Sequence, residues 1–191
     1  MDMQTLVRMN RSYRRFDENF MVDMEILKEL VALAQYSPTS NNSQPLKFWL
    51  SNDPGMNEKI FPHLGWAASL KDWRGPKEGE RPSAYIIILG DRDIQLNYGV
   101  DHGIAAQSMM LGAVEKGLGG CIMASIQRNA LQADLGIPDR YQILLILALG
   151  KPVETVLTEP TDVSGGVKYY RDEDAVHHVP KRSLEDLIVN S

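Results

Sequence analysis

Residues 83–90 read SAYIIILG, an apolar run with no polar interruption between a serine and a glycine. A run this short and this continuous fits a strand covered on both faces. YQILLILALG, at 141–150, has the same character. Between them, 101–116 spaces Ile104, Ala105, Ala106, Met109, Met110, Leu111, Ala113 and Val114 as a helix that is apolar nearly all round. Such a helix belongs at the centre of a fold or in a subunit interface. GLGGCIMA, from Gly117, predicts a glycine-rich turn and a further strand, and KFWLS, from Lys47, another. The reading is α+β, a small sheet flanked by helices of which one is central.

Working outward, Asp23 to Tyr36 keeps Ile26, Leu27, Leu30, Leu33 and Ala34 at helical spacing, with Asp23 as N-cap and Pro38 as the stop. Met1 to Met9 predicts a short helix with Leu6, Val7 and Met9 partly buried. Pro and Gly break the signal from Asp53 to Pro82, which predicts short helical pieces joined by loops that could cover a site. Arg128 to Leu135 predicts a short helix ending near Gly136 and Pro138. After Lys151 the chain turns polar and weakly periodic, with a terminal amphipathic turn at Ser183 to Val189. A long tail without a core pattern is uncommon inside a compact domain, and wrapping it across another subunit is one physical solution.

The chain has 191 residues, 43% of them hydrophobic and 24% charged. A folded chain of this length buries roughly 70% of its extended surface, enough for one core without staples. One domain spanning 1–191 is expected, with 152–191 as the wrapping tail. The net charge is −5, from 20 basic and 25 acidic residues, which argues against nucleic-acid binding but not against a local anion site. Cys121 is the lone cysteine, so no internal disulfide can form. No apolar run reaches the ~18 residues that read as a membrane span. The start lacks the apolar stretch of a secretory leader, so a cytoplasmic location is expected.

Arg11, Ser12 and Arg14 form R-S-x-R inside a basic cluster with Arg8 and Arg15. Two guanidiniums three residues apart, with a hydroxyl between, can converge on one phosphate if that turn is helical. On its own the cluster reads more readily as a solvated face, or as a juxtamembrane or RNA-binding segment. The loop from Ser37 to Pro45 concentrates hydroxyls and amides, among them Thr39, Ser40, Asn42 and Gln44, after Pro38. Such groups can read the edge of a polar heterocycle, or simply close an ordinary turn. Gly119 and Gly120 allow close backbone approach, but the pattern is not a dinucleotide-binding G-x-G-x-x-G. His177, His178, Lys181 and Arg182 fit a solvated tail. No metal-ligand spacing, nucleophile elbow or carboxylate dyad stands out.

The motifs occur in a telling order: R-S-x-R-x-F from Arg11, S-P-T-S-x-N-S-Q-P from Ser37, and D-x-G-I-A-A-Q from Asp101. G-L-G-x-C from Gly117, L-G-I-P, L-A-L-G-K-P and the ending H-H-V-P-K-R-S-L-E-D-L follow. From Arg11 to Leu187 this set resembles the nitroreductase family. The resemblance implies a central, mainly antiparallel sheet flanked by helices, in a homodimer that holds FMN at its subunit interface. By the same resemblance Arg11, Ser12 and Arg14 would bind the FMN phosphate and ribityl chain, and Lys181 and Arg182 would complete the phosphate site. Pro38, Thr39, Ser40 and Asn42 would line the flavin with Gln44 nearby, and Gly119 and Gly120 would contribute backbone groups.

Two departures stand out. Asn10 sits where many members carry a further arginine, and Leu46 replaces an aromatic that often follows Q-P. Substrate choice is expected to lie within 61–82, around Trp66 and Trp73. The implied activity is hydride transfer from NADH or NADPH to bound FMN, then reduction of a nitroaromatic or quinone by a ping-pong mechanism. The flavin carries the hard chemistry, which accounts for the missing acid/base constellation. A flavin-binding sensor or carrier without turnover, a specialised dehydrogenation, and a flavin-cleaving reaction are the alternatives. No metal, nucleic acid or membrane partner is expected.

Overall fold

A computed structural model describes residues 1–161 and 166–190. Its centre is β3 (Ala84–Asp91), buried along its whole length. Side chains alternate across it, as strand geometry requires. Ala84, Ile86 and Ile88 enter one apolar layer, Tyr85, Ile87 and Leu89 the other. β3 pairs antiparallel with β2 (Leu46–Ser51) on one edge and β5 (Tyr141–Pro152) on the other, with a bulge between Ile88 and Leu89. The far edge of β5 carries β4 (Gly119–Met123) and the two-residue β1 (Phe16–Asp17), both antiparallel. The sheet is therefore antiparallel throughout, and the α+β expectation holds.

One face is covered by α2 (Met24–Gln35) and α4 (Asp101–Glu115). Asp23 caps α2 through Glu25 N–H. The two helices approach closely at Gly112, where an added Cβ would lie 2.3 Å from Leu33 Cδ1. The other face is covered by α3 (Pro54–Ile60), α5 (Arg128–Asp134) and Trp66. The broken segment after Asp53 is thus α3, a tight turn at 61–63, and loops. α1 (Met3–Met9) forms as expected, but of its apolar residues Leu6 is half-buried while Val7 and Met9 are exposed, with no described residue covering that side.

The polar tail has order of its own. β6 (Val156–Thr161) pairs parallel with β8 (His177–Arg182), and β7 (Tyr170–Arg171) joins β8 antiparallel. Residues 162–165 and 191, part of the tail expected to wrap a partner, lie outside the described residues. A last turn, α6 (Leu184–Leu187), is capped by Ser183 and exposes Leu184 and Leu187. Among the described residues, no helix is long and apolar enough to cross a membrane.

Candidate functional site

Residues 11–15 are not helical, so the two arginines converge by a different route. Tyr13 N–H reaches the carbonyls of both Arg11 (3.0 Å) and Gly120 (2.9 Å). Ser12 forms an isolated bridge with Gly120. This tight turn, stitched to β4, sends Arg11 and Arg14 into one cleft of about 250 Å³. Asn10, Ser12, Tyr169, His177, Val179 and Lys181 complete its lining. The tail strand thus meets the early cluster within the same chain.

Strand alternation decides which tail residues take part. His177, Val179 and Lys181 share one face of β8 and line the cleft, whereas Arg182 falls on the opposite face, exposed and outside it. The basic cluster divides as well. Arg15 is committed elsewhere, bidentate on Glu80 at 2.7 and 2.9 Å, and each group holds the other's charge in place. Arg11, Arg14 and Lys181 have no carboxylate partner among the described residues. Arg11 donates to Val7 O at 2.8 Å, but its Nε is buried with no acceptor among the described residues.

Arg14 is positioned from several sides. Its Nη1 donates to Ser12 O (3.2 Å) and faces His177 Nε2 (3.2 Å), and its guanidinium lies 5.0 Å from the Tyr169 ring centroid. Burial, then the nearby Arg14 and Arg171, pushes the His177 pKa down to about 4. The ring is neutral at ordinary pH and adds no charge. Glu154 lies beneath, accepting from the Arg14 N–H and pairing with Arg171 at 2.9 Å. Three cationic side chains with no carboxylate partner among the described residues, a buried Nε–H and a hydroxyl make a cradle for a phosphate-sized anion.

The second motif lies elsewhere in the chain. Asp101, at the first turn of α4, accepts from Ser40 N–H at 3.0 Å and so holds the 38–44 loop. Asn41, Asn42 and Gln44 all have φ near +50°, a conformation few side chains favour. Gln44 N–H donates to Thr39 Oγ1, and Gln44 Nε2 to Asn42 O. Thr39 and Gln44 line a separate cleft of about 300 Å³ with Lys47 and Phe48. Pro38 borders an apolar groove with Leu33, Tyr36 and Leu111. Within one chain, neither lining includes the arginines. Gly119 and Gly120 sit in strand pairings, where a Cβ on Gly119 would strike Tyr13 and Pro152, and one on Gly120 the Ala148 carbonyl. They seat the R-S-x-R segment rather than line the cleft.

No sequence motif marks Tyr169, Glu154 or Arg171. HHVPKR carries no apolar alternation to mark it as a strand, and it is the strand's period of two that sets His177 and Val179 beside Lys181. Trp66 is buried in the core, and Trp73 packs under Arg171, its ring centroid 4.6 Å from the guanidinium.

The family model described as the nitroreductase family matches residues 7–151. An NADPH-flavin oxidoreductase of Vibrio harveyi is 36% identical over 63 residues, a match spanning 32% of this chain and 26% of that protein. Among solved structures, a nitroreductase family protein of Clostridium novyi superposes with a TM-score of 0.68 at 21% identity, over 80% of this chain and 86% of the other. A nitroreductase family protein of Streptococcus pneumoniae gives 0.69 at 16% identity, over 84% and 94%. An FMN-dependent nitroreductase of Clostridium difficile gives 0.63 at 22% identity, over 80% and 88%.

Proposed function

The chain belongs to the nitroreductase family, and on that premise we propose that it is an FMN-dependent oxidoreductase taking hydride from NADH or NADPH and passing electrons to a nitroaromatic or quinone. The observation that carries this reading is the cleft where the Arg11, Arg14 and Lys181 side chains converge with no carboxylate partner among the described residues. A chain of net charge −5 that groups three cations whose side chains have no carboxylate partner among the described residues is suited to receive an anion. The FMN phosphate suits that cleft in charge, and Ser12 offers a hydroxyl beside it. The flavin, when bound, supplies the hydride-accepting ring. The chain's own residues anchor the phosphate, hold the guanidiniums in register and shape the space around the ring.

A homodimer completes the picture. The 38–44 loop and the arginine cleft line different surfaces of one chain. A second copy brings the loop of one protomer toward the cleft of the other. The exposed Leu184, Leu187 and Val189 and the groove bordered by Leu33, Tyr36 and Leu111 are apolar surfaces that such a partner would cover. We place the enzyme in the cytoplasm, with one domain over 1–191.

The test is turnover. The purified protein should carry visible flavin absorbance that bleaches with NADH or NADPH and returns with a quinone or nitro compound. A colourless protein that takes up no added FMN contradicts the reading. Flavin that binds but never bleaches points to a carrier or sensor instead.

A further inference from the structure

Glu154 is a carboxylate in an awkward place. Its side chain has no solvent exposure, yet it lies beneath a cleft whose other charged groups are cations. One oxygen accepts from the Arg14 main-chain N–H, which has to find an acceptor. A carboxylate is a strong acceptor for that purpose, but it also brings a charge that opposes any bound anion. In a partly desolvated site that opposition is screened far less than at the surface.

Arg171 answers the conflict. Its Nη2 lies 2.9 Å from the second Glu154 oxygen, and its side chain is only 14% exposed. β7 carries it, in register opposite His177 of β8. The Trp73 ring, 4.6 Å from the guanidinium, holds it from another side. Arg171 itself is not part of the cleft lining. We propose that Arg171 is a positioning residue that neutralises Glu154, so that Glu154 can hold the Arg14 main chain without repelling the cofactor phosphate. The inference rests on the phosphate reading of the cleft. Trp73, in the segment expected to set substrate choice, is thereby packed against the phosphate site's charge balance.

A purely structural role for Arg171, fastening the tail, predicts a different pattern of variants. FMN affinity of the full-length protein would be measured by fluorescence titration at fixed salt for wild type, R171Q, R171K, E154Q and E154Q/R171Q, with R14A as reference. The expected loss in R171Q is about tenfold or more, from an uncompensated carboxylate near the phosphate. R171K, which keeps the charge, should hold most of the affinity. E154Q/R171Q should recover to near wild type, because the amide that replaces the carboxylate still offers an oxygen to the Arg14 N–H and no stray charge remains. E154Q alone should bind FMN more tightly than wild type, since Arg171 is then an extra cation; this arm also covers the case in which R171Q fails to fold. Weaker binding by E154Q, or a double variant no better than R171Q, overturns the role of Arg171. Loss of affinity in R14A with wild-type binding in R171Q and E154Q overturns it while supporting the phosphate cleft. Wild-type binding in R14A and in every Arg171 variant overturns both.

Discussion

Arg14 Nη1 lies 3.2 Å from His177 Nε2, a contact that suits a neutral histidine. His177 is almost wholly buried, and burial, followed by the charges of Arg14 and Arg171, pushes its pKa from 6.5 down to about 4. Nε2 can then accept from Arg14. An imidazolium there would push the guanidinium away and add a buried charge.

The pH dependence of stability follows with a definite sign. The unfolded chain protonates His177 near pH 6.5 and the folded one near 4. The stability associated with the neutral ring is complete above about 6.5 and is lost as pH falls through that window. The neighbouring His178 behaves oppositely, because Asp172 Oδ2 (3.0 Å) and Glu159 Oε2 (3.1 Å) hold its proton and raise its pKa. Its contribution is complete below its ordinary value and is lost as pH rises through the raised one. H177Q should flatten the acid side of a stability–pH curve by on the order of 2 kcal/mol after screening. H178Q should flatten the alkaline side. Denaturant midpoints from pH 4.5 to 8.5 would check both.

Gly120 is required by packing. A Cβ there would sit 2.5 Å from the Ala148 carbonyl oxygen and 2.8 Å from Leu149 Cδ2. Since Tyr13 N–H depends on the Gly120 carbonyl, G120A should displace the R-S-x-R turn as well as strain β4. A loss of about 1–3 kcal/mol is expected. Flavin affinity should fall beyond what stability alone explains, as thermal unfolding with and without FMN would reveal.

Asp101 fastens the 38–44 loop through Ser40 N–H. D101A should leave that N–H without its acceptor and cost about 1–2 kcal/mol, whereas D101N, which keeps an oxygen, should cost less. Amide exchange at Ser40 reads the difference. Equal protection in both variants would show that Asp101 is not the anchor.

Cys121 is buried on β4, and burial pushes its thiol pKa up. It should therefore resist thiol reagents in the native protein and react only on unfolding. Rapid native labelling would contradict the packing around β4.

The sheet and its covering helices were legible because their signal is local. Both faces of β3 and of the 146–150 stretch of β5 are buried, so the apolar runs there are unbroken, and α2 and α4 carry their spacing in consecutive turns. The tail was not legible as strands. β6 and β8 pair in parallel across an intervening stretch, and their polar residues leave no alternation of apolar side chains. The site was legible as residue types but not as geometry. Nothing near Arg15 announces Glu80, 65 positions away, as the partner that removes it from the site. Lys181 and Arg182 are adjacent and chemically alike, and only the strand register separates them. Arg171 and Glu154 matter through a pairing that no motif contains.

The central claim is that Arg11, Arg14 and Lys181 grip a phosphate. The most direct measurement compares the affinity of the wild type for FMN and for riboflavin, which lacks the phosphate, with the same comparison in R11A/R14A. Wild type should prefer FMN by about a hundredfold or more, the scale of two charge-assisted contacts, and the double variant should lose most of that preference while its riboflavin affinity changes little. Equal affinity of the wild type for the two flavins, or a preference that survives in R11A/R14A, would contradict the account.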